Sequence, residues 1–264
     1  MNIYLGNYWG KKYDYLVNYQ AYIKFVLKEN IKFSNFSKHL EILYDTNMYI
    51  RNLFIPDKNQ IIFDIGSQYG DYSLLWEKRY NAKIYAFELL KNNYDEMLKD
   101  LKLNNSKIKA FNIPIGDGSN ISFITKGDMG INENSGNFVK SVKLDELIFN
   151  KFNVKPDIIK IDVEGFEYEV LKGSDDFLKL CLPKIILETH NIELRKKCHS
   201  FLSDKGYLLI EEGRTVIDKA GNEAGNEAGN EAGNEAGNEA GNEITNLFYI
   251  KSNWFLFNTN LKKI

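Results

Sequence analysis

Three clusters of side chains carry the chemistry this chain can do. The first is Asp64-Ile65-Gly66-Ser67-Gln68-Tyr69-Gly70, which closes the apolar run Ile61–Ile65. A glycine directly after a strand permits a tight turn, and a second at the start of the next helix lets backbone approach a ligand. The second is Glu88, 22 residues after Gly66, at the end of the run Lys83–Glu88. An acid there is placed to accept hydrogen bonds from ribose hydroxyls. The third is Asp162-Val163-Glu164-Gly165, after the run Asp157–Val163, facing Glu188-Thr189-His190-Asn191 after the run Pro183–Glu188. Carboxylates beside an imidazole suit proton transfer.

The elements that must position these groups are short apolar runs alternating with amphipathic stretches. Helices are expected at 71–80, 92–103, 166–178 and 192–205, with a short one from Asp145, where Asp145 itself reads as a cap. Runs at 108–113, 207–210 and 247–250 complete the series, and 121–125 with 138–142 read as an inserted hairpin. Near-continuous apolar strands between helices mean an α/β fold whose mostly parallel sheet is covered on both faces. Pro56, Pro156 and Pro183 each precede a run, where a missing N–H is tolerated.

Residues 1–55 contain no strand signal and show helical spacing at Leu16, Tyr19, Ile23, Val26 and Leu27, with Ser37 placed to cap a second helix. They read as an N-terminal helical extension to a domain spanning 56–264. His39 and His199 sit in helical stretches without an evident partner. Residues 220–243 are six copies of Ala-Gly-Asn-Glu. Glycine in every repeat disfavours helix and nothing in the repeat can enter a core, so a flexible loop insertion is expected.

Composition narrows the function. The 264 residues are 44% hydrophobic and 27% charged, which fits a globular chain and excludes wholesale disorder. Without the six Glu of the repeat, the net charge of −2 becomes +4, too little for a nucleic-acid footprint, and only four of the 34 basic residues are Arg. No apolar run approaches the ~18 residues of a membrane span, and Met1–Lys12 lacks the apolar core of a signal peptide. Cys181 and Cys198 form no metal or redox spacing, so a reduced, cytoplasmic protein is expected.

The glycine cluster departs from the dinucleotide fingerprint, because Gln68 stands where G-x-G-x-x-G needs its second glycine. The strand-end acid Asp64 would suit a ligand with an ammonium group. An acid for the ribose and an acid for a cationic end together describe S-adenosylmethionine.

With Ala86-Phe87-Glu88, Leu144-Asp145-Glu146-Leu147 and Lys160-Ile161-Asp162-Val163-Glu164-Gly165, the chain resembles the FkbM family of methyltransferases over about residues 56–210. The family pattern is D-x-G-A-n-x-G, a-F-E-P, L-D-x-L and K-i-D-V-E-G. Ser67, Gln68 and Leu89 depart from it without removing a carboxylate. The resemblance implies a class I methyltransferase fold, Rossmann-like, with seven strands of which the last is antiparallel. It implies S-adenosylmethionine as cofactor, with Asp64, Gly66, Gln68 and Gly70 at its methionine end, Glu88 at the ribose and Asn112 near adenine. In the family's better-known members the acceptor is a hydroxyl, so a sugar, glycan or other small metabolite is expected.

Asp162-Val163-Glu164-Gly165 also stands where enzymes acting on planar amino nitrogens place a Pro-Pro-aromatic element. That favours an oxygen acceptor. Asp162 is the expected general base, His190 an alternative base or acceptor-orienting group, and Glu164 either a further acid of the site or a helix N-terminal acid. No metal is required, although Asp162 with Glu188 or Asn191 offers a place for a divalent cation. Two other functions share the pattern: an NAD(P)-dependent oxidoreductase or epimerase, opposed by Gln68 and by the lack of a Tyr-x-x-x-Lys pair, and a non-catalytic interaction module.

Overall fold

The computed structural model describes residues 4–8, 11–44, 46–50, 52–122, 138–217, 223–227 and 243–251. The chain opens with an antiparallel hairpin, β1 (Tyr4–Tyr8) and β2 (Lys11–Asp14), followed by α1 (Tyr15–Glu29). A hairpin here corrects the all-helical expectation: tyrosines at positions 4, 8 and 13 carry β propensity that the helical spacing further on obscures. A short helical turn at Phe36–Lys38, capped by Asn35 rather than containing a cap at Ser37, leads to α2 (Leu40–Tyr44) and a turn at Asn52–Phe54.

The alternating series follows: β3 (Ile61–Ile65), α3 (Asp71–Tyr80), β4 (Lys83–Phe87), α4 (Lys91–Leu103) and β5 (Lys109–Phe111). The inserted hairpin is β6 (Asn120–Ser122) with β7 (Phe138–Lys140), and residues 123–137 between them lie outside the described residues. Then come α5 (Leu144–Glu146), widening into π-type turns at Leu147–Phe152, and β8 (Ile158–Ile161). The helix expected at 166–178 is two helices, α6 (Glu167–Lys172) and α7 (Asp175–Leu180). Gly173 makes the break: a Cβ there would stand 1.8 Å from the carbonyl oxygen of Gly116, so the chain turns where only glycine fits. Asp145 accepts from the backbone N–H groups of Asp176 and Phe177 and so caps α7 rather than its own helix. The series ends with β9 (Lys184–Thr189), α8 (Ile192–Asp204), β10 (Tyr207–Ile217), β11 (Glu223–Glu227) and β12 (Glu243–Lys251).

The main sheet runs β11-β10-β12-β9-β8-β3-β4-β5. β12 is antiparallel to both β9 and β10, while β3, β4, β5, β8 and β9 are mutually parallel. Leaving out the edge strand β11, this is the seven-stranded class I methyltransferase order, with its antiparallel strand second from one edge. β11 belongs to the Ala-Gly-Asn-Glu repeat and pairs with β10, a difference from the loop expected there. Most of the rest of the repeat lies outside the described residues.

Residues alternate between the sheet's two faces. Phe63, Ile65, Tyr85, Phe87, Ile159, Ile161, Ile185 and Leu187 enter one core with residues of α6, α7 and α8. Ile62, Ile84, Ala86, Ile158, Ile186 and Phe248 enter the other with residues of α3 and α4. Phe25, Ile31, Phe33, Ile42, Tyr49 and Phe54 join this second core, so the N-terminal segment is part of the sheet's cover. His39, for which no partner was evident, is fully buried there. Its Nδ1 lies 2.5 Å from Asp71 and its Nε2 3.0 Å from Asp100, with the ring stacked on Phe33. Among the described residues no helix is long and apolar enough to cross a membrane.

Candidate active site

The site lies at the carboxyl ends of β4, β3, β8 and β9, where the strand order reverses and open α/β sheets bind ligands. The turn after β3 is shaped by Gly66, at φ +77°, where a Cβ would stand 1.6 Å from the carbonyl oxygen of Asp162. Gly70, at φ +79°, begins α3, and a Cβ there would press on Met97 at 2.8 Å. Gln68 adopts φ +50° and donates its N–H to Glu88 Oε2 at 2.8 Å. Leu90 N–H donates to Glu88 Oε1 at 2.7 Å. Glu88 therefore joins the glycine turn to the end of β4, and burial pushes its carboxyl up to about 7. Asn112 donates from Nδ2 to the carbonyls of Glu88 and Leu89, both at 2.8 Å, which fixes the loop after β4 from the end of β5.

Asp64 turns into the protein and is only 2% exposed. Its Oδ2 accepts from Ser73 at 2.6 Å, and its Oδ1 lies 3.6 Å from the Lys160 ammonium. Burial raises its pKa, against the opposing pull of Lys160 and Ser73. Lys160 is the residue that sequence reasoning passed over. Its Nζ also donates to the Gly66 carbonyl at 2.8 Å and to Asp162 Oδ2 at 3.1 Å, joining the glycine turn to the acid after β8. Asp162 and Glu188 hold it charged despite burial, together with Asp64. The signal was in the pattern: Lys160 and Asp162 share a strand face by alternation, and Lys160 pairs with Asp64 across β3 and β8.

Asp162, Glu164 and His190 come together as expected. The His190 Nε2 lies 3.2 Å from Glu164, 3.5 Å from Glu188 and 3.7 Å from Asp162, while Nδ1 lies 3.2 Å from Glu167. Burial alone would lower the imidazole pKa, but Glu167 and Glu188 outweigh it and raise it to about 12. A ring held towards its protonated form suits the expected orienting role better than that of a base near neutrality. Glu167, also unforeseen, is fully buried and braces the turn by accepting from the N–H groups of Val163 and Gly165.

Glu164 is not a helix N-terminal acid. It sits at φ +53° in the turn before α6, three residues ahead of the helix, and its side chain is 36% exposed. Burial lifts its pKa to about 7, against the attraction of His190. Asp162 moves the other way: burial would raise it, but Lys160 and His190 hold it below the usual carboxylate range. Asn191 is withdrawn from the cluster, because its side chain caps α8 by accepting from Leu194 N–H at 2.8 Å. Asp162, Glu188 and His190 offer donor atoms within 4.8 Å of one another, the spacing a divalent cation would use.

The order of strands and the acids at their ends define a class I methyltransferase architecture. The FkbM methyltransferase domain model matches residues 64–209, and the chain belongs to that family. Among curated relatives, a hexuronic acid methyltransferase of Haloferax volcanii is 26% identical over 144 residues, covering 51% of this chain and 57% of its own length. A methyltransferase of Sordaria araneosa is 28% identical over 209 residues, covering 63% of this chain and 80% of its own. Among solved structures, an FkbM methyltransferase of Methylobacillus flagellatus aligns with TM-score 0.47 at 13% identity, over 74% of this chain and 56% of that one.

Proposed function

We propose that the chain transfers a methyl group from S-adenosylmethionine to a hydroxyl of a sugar, a glycan end or another small metabolite. The observation that carries the reading is one connected network. Glu88 is tied to the glycine turn by Gln68, and that turn is tied by Lys160 to the acid cluster after β8 and β9.

The residues fit the cofactor by the shape and chemistry of the cradle. The Gly66 turn has no room for a side chain, and Glu88 offers a buried carboxylate with lone pairs beyond the two backbone donors it accepts. Gly66, Gln68 and Gly70 would border the methionine end, Glu88 would hold the ribose hydroxyls, and Asn112 would shape the wall towards adenine. Asp64 acts through Ser73 and Lys160, which hold the turn in place. The cofactor supplies an electrophilic methyl on a sulfonium, so the protein's task is to align an oxygen and remove its proton.

The two acids after β8 divide that task. Environments that push two carboxyl pKa values apart assign the roles. Asp162, paired with Lys160, stays ionised and orients. Glu164, the more exposed and lifted to about 7, takes the hydroxyl proton. The protonated His190 lies between them and fixes the Glu164 carboxylate.

Asp64, Asp162, Glu164, Glu167 and Glu188 outnumber Lys160 and His190, so a neutral hydroxyl meets no repulsion. A hexuronate, the substrate class named for the Haloferax relative, would have to turn its own carboxylate outward. The test is transfer from methyl-labelled cofactor to a panel of neutral hexoses, hexuronic acids, glycan ends and amines, with products read by NMR. The reading predicts an O-methyl signal on a sugar. Label on amines alone would overturn it.

A further inference from the structure

The groups described so far, from Asp64 to His190, lie inside the family-matched region 64–209. One side chain in contact with them does not. Tyr49, from the segment between α2 and β3, is buried beneath the strand ends, on the face that Asp64, Lys160, Asp162 and Glu188 share. Its hydroxyl lies 2.6 Å from Glu188 Oε2 and 3.1 Å from Asp162 Oδ2. Its ring meets Tyr72 of α3 edge to face at 4.6 Å, and the Lys160 ammonium sits 5.1 Å from the ring centroid.

From this placement we propose that Tyr49 is a positioning residue of the methyl-transfer site, clamping Asp162 and Glu188 so that each turns its other oxygen towards His190. The inference rests on the roles given above to Glu164 and His190.

Carboxylates at neighbouring strand ends repel, and each can rotate about its terminal bond. Here one oxygen of each faces the same hydroxyl. Asp162 Oδ2 also accepts from Lys160, which leaves Oδ1 on the His190 side at 3.7 Å. Glu188 Oε2 is held by Tyr49, which leaves Oε1 at 3.5 Å from the same Nε2. Glu167 holds the opposite ring nitrogen. The imidazole is therefore set from three sides, and its Nε2 meets Glu164 at 3.2 Å. Tyr49 is the neutral donor among the charged groups facing this pair: Lys160 and Asp64 from β8 and β3, Glu164 and Glu167 from the turn before α6 and its start, and His190 after β9. Removing its hydroxyl frees the Glu188 carboxylate to rotate, leaves Asp162 Oδ2 held by Lys160 alone, and loosens the ring that holds the base.

The test is Tyr49→Phe, which keeps the ring against Tyr72 and removes only the hydroxyl. The chain has three histidines, so side-chain nitrogen NMR reads each one without an acceptor. The expected result is a shifted His190 Nε2 resonance with His39 and His199 unmoved. With the acceptor found in the transfer panel, kcat should fall ~10- to 100-fold, as misplacing a catalytic group does, while acceptor KM and cofactor Kd stay within about twofold. Histidine spectra identical to the parent's would overturn the proposal. So would an unchanged kcat, or a joint loss of kcat, cofactor affinity and melting temperature, which marks a purely structural residue. If the parent itself methylates nothing in the panel, the functional reading fails, and the histidine spectra still decide the clamp.

Discussion

Replacing Glu164 by glutamine keeps the size of the side chain and removes its ability to take a proton. In the parent the carboxyl sits at about 7, raised by burial and restrained by His190 3.2 Å away. From that value the ionised fraction is about a tenth at pH 6 and about nine tenths at pH 8. The rate should therefore climb with pH and level off above about 8. A positioned general base contributes ~10²- to 10⁴-fold, so Glu164→Gln should lose at least two orders of magnitude in kcat. The inflection near 7 should vanish with it. His190 is a poor substitute for the lost base, because Glu167 and Glu188 still favour its protonated form in the variant. The assay is initial rate against pH with labelled cofactor, on parent and variant, at saturating acceptor. Calorimetry should find the variant binding cofactor normally, since Glu164 is not among the groups around Glu88 and Gly66. A variant that keeps both its rate and its inflection near 7 would refute the assignment of Glu164 as the base.

Two further outcomes follow from particular contacts. His39 is raised from 6.5 to about 9 by Asp71 and Asp100 in spite of its burial. Its charge therefore stabilises the fold fully below about 6.5, and the contribution is lost as pH rises through about 9. His39→Gln should cost up to about 3 kcal/mol at pH 6 and much less at pH 10, measured by urea unfolding at each pH. Gly66→Ala would force a Cβ to 1.6 Å from the Asp162 carbonyl at a positive φ, so it should destabilise by roughly 3 kcal/mol or more and abolish cofactor binding, read by thermal melting and calorimetry.

The parallel core of the sheet was legible because its strands are short apolar runs with acids at their carboxyl ends, and both signals survive in a linear string. Asp162, Glu164 and His190 could be brought together by topology alone, since they end adjacent parallel strands. What the string hid was which group pairs with which. Lys160 reads as a charged residue inside an apolar strand until the register sets it opposite Asp64. Tyr49 and His39 depend on how the N-terminal segment folds across the sheet, a contact between residues far apart that no local period encodes. The break between α6 and α7 was missed for a similar reason. An isolated glycine is tolerated within a helical pattern and does not by itself mark a break, and the carbonyl of Gly116 that requires Gly173 lies 57 positions away.

The central claim is that the ends of β3 and β4 hold S-adenosylmethionine, and calorimetric titration tests it most directly. The parent should bind this cofactor saturably, one per chain, and should not bind NADH. Glu88→Ala removes the carboxylate assigned to the ribose, and losing a charge-assisted hydrogen bond of about 1.5–3 kcal/mol should weaken binding roughly 10- to 150-fold. Binding to the parent should also weaken as pH falls below about 7, where Glu88 takes up a proton and loses acceptor strength. Saturable binding of NADH, or parental affinity for S-adenosylmethionine in Glu88→Ala, would contradict the account.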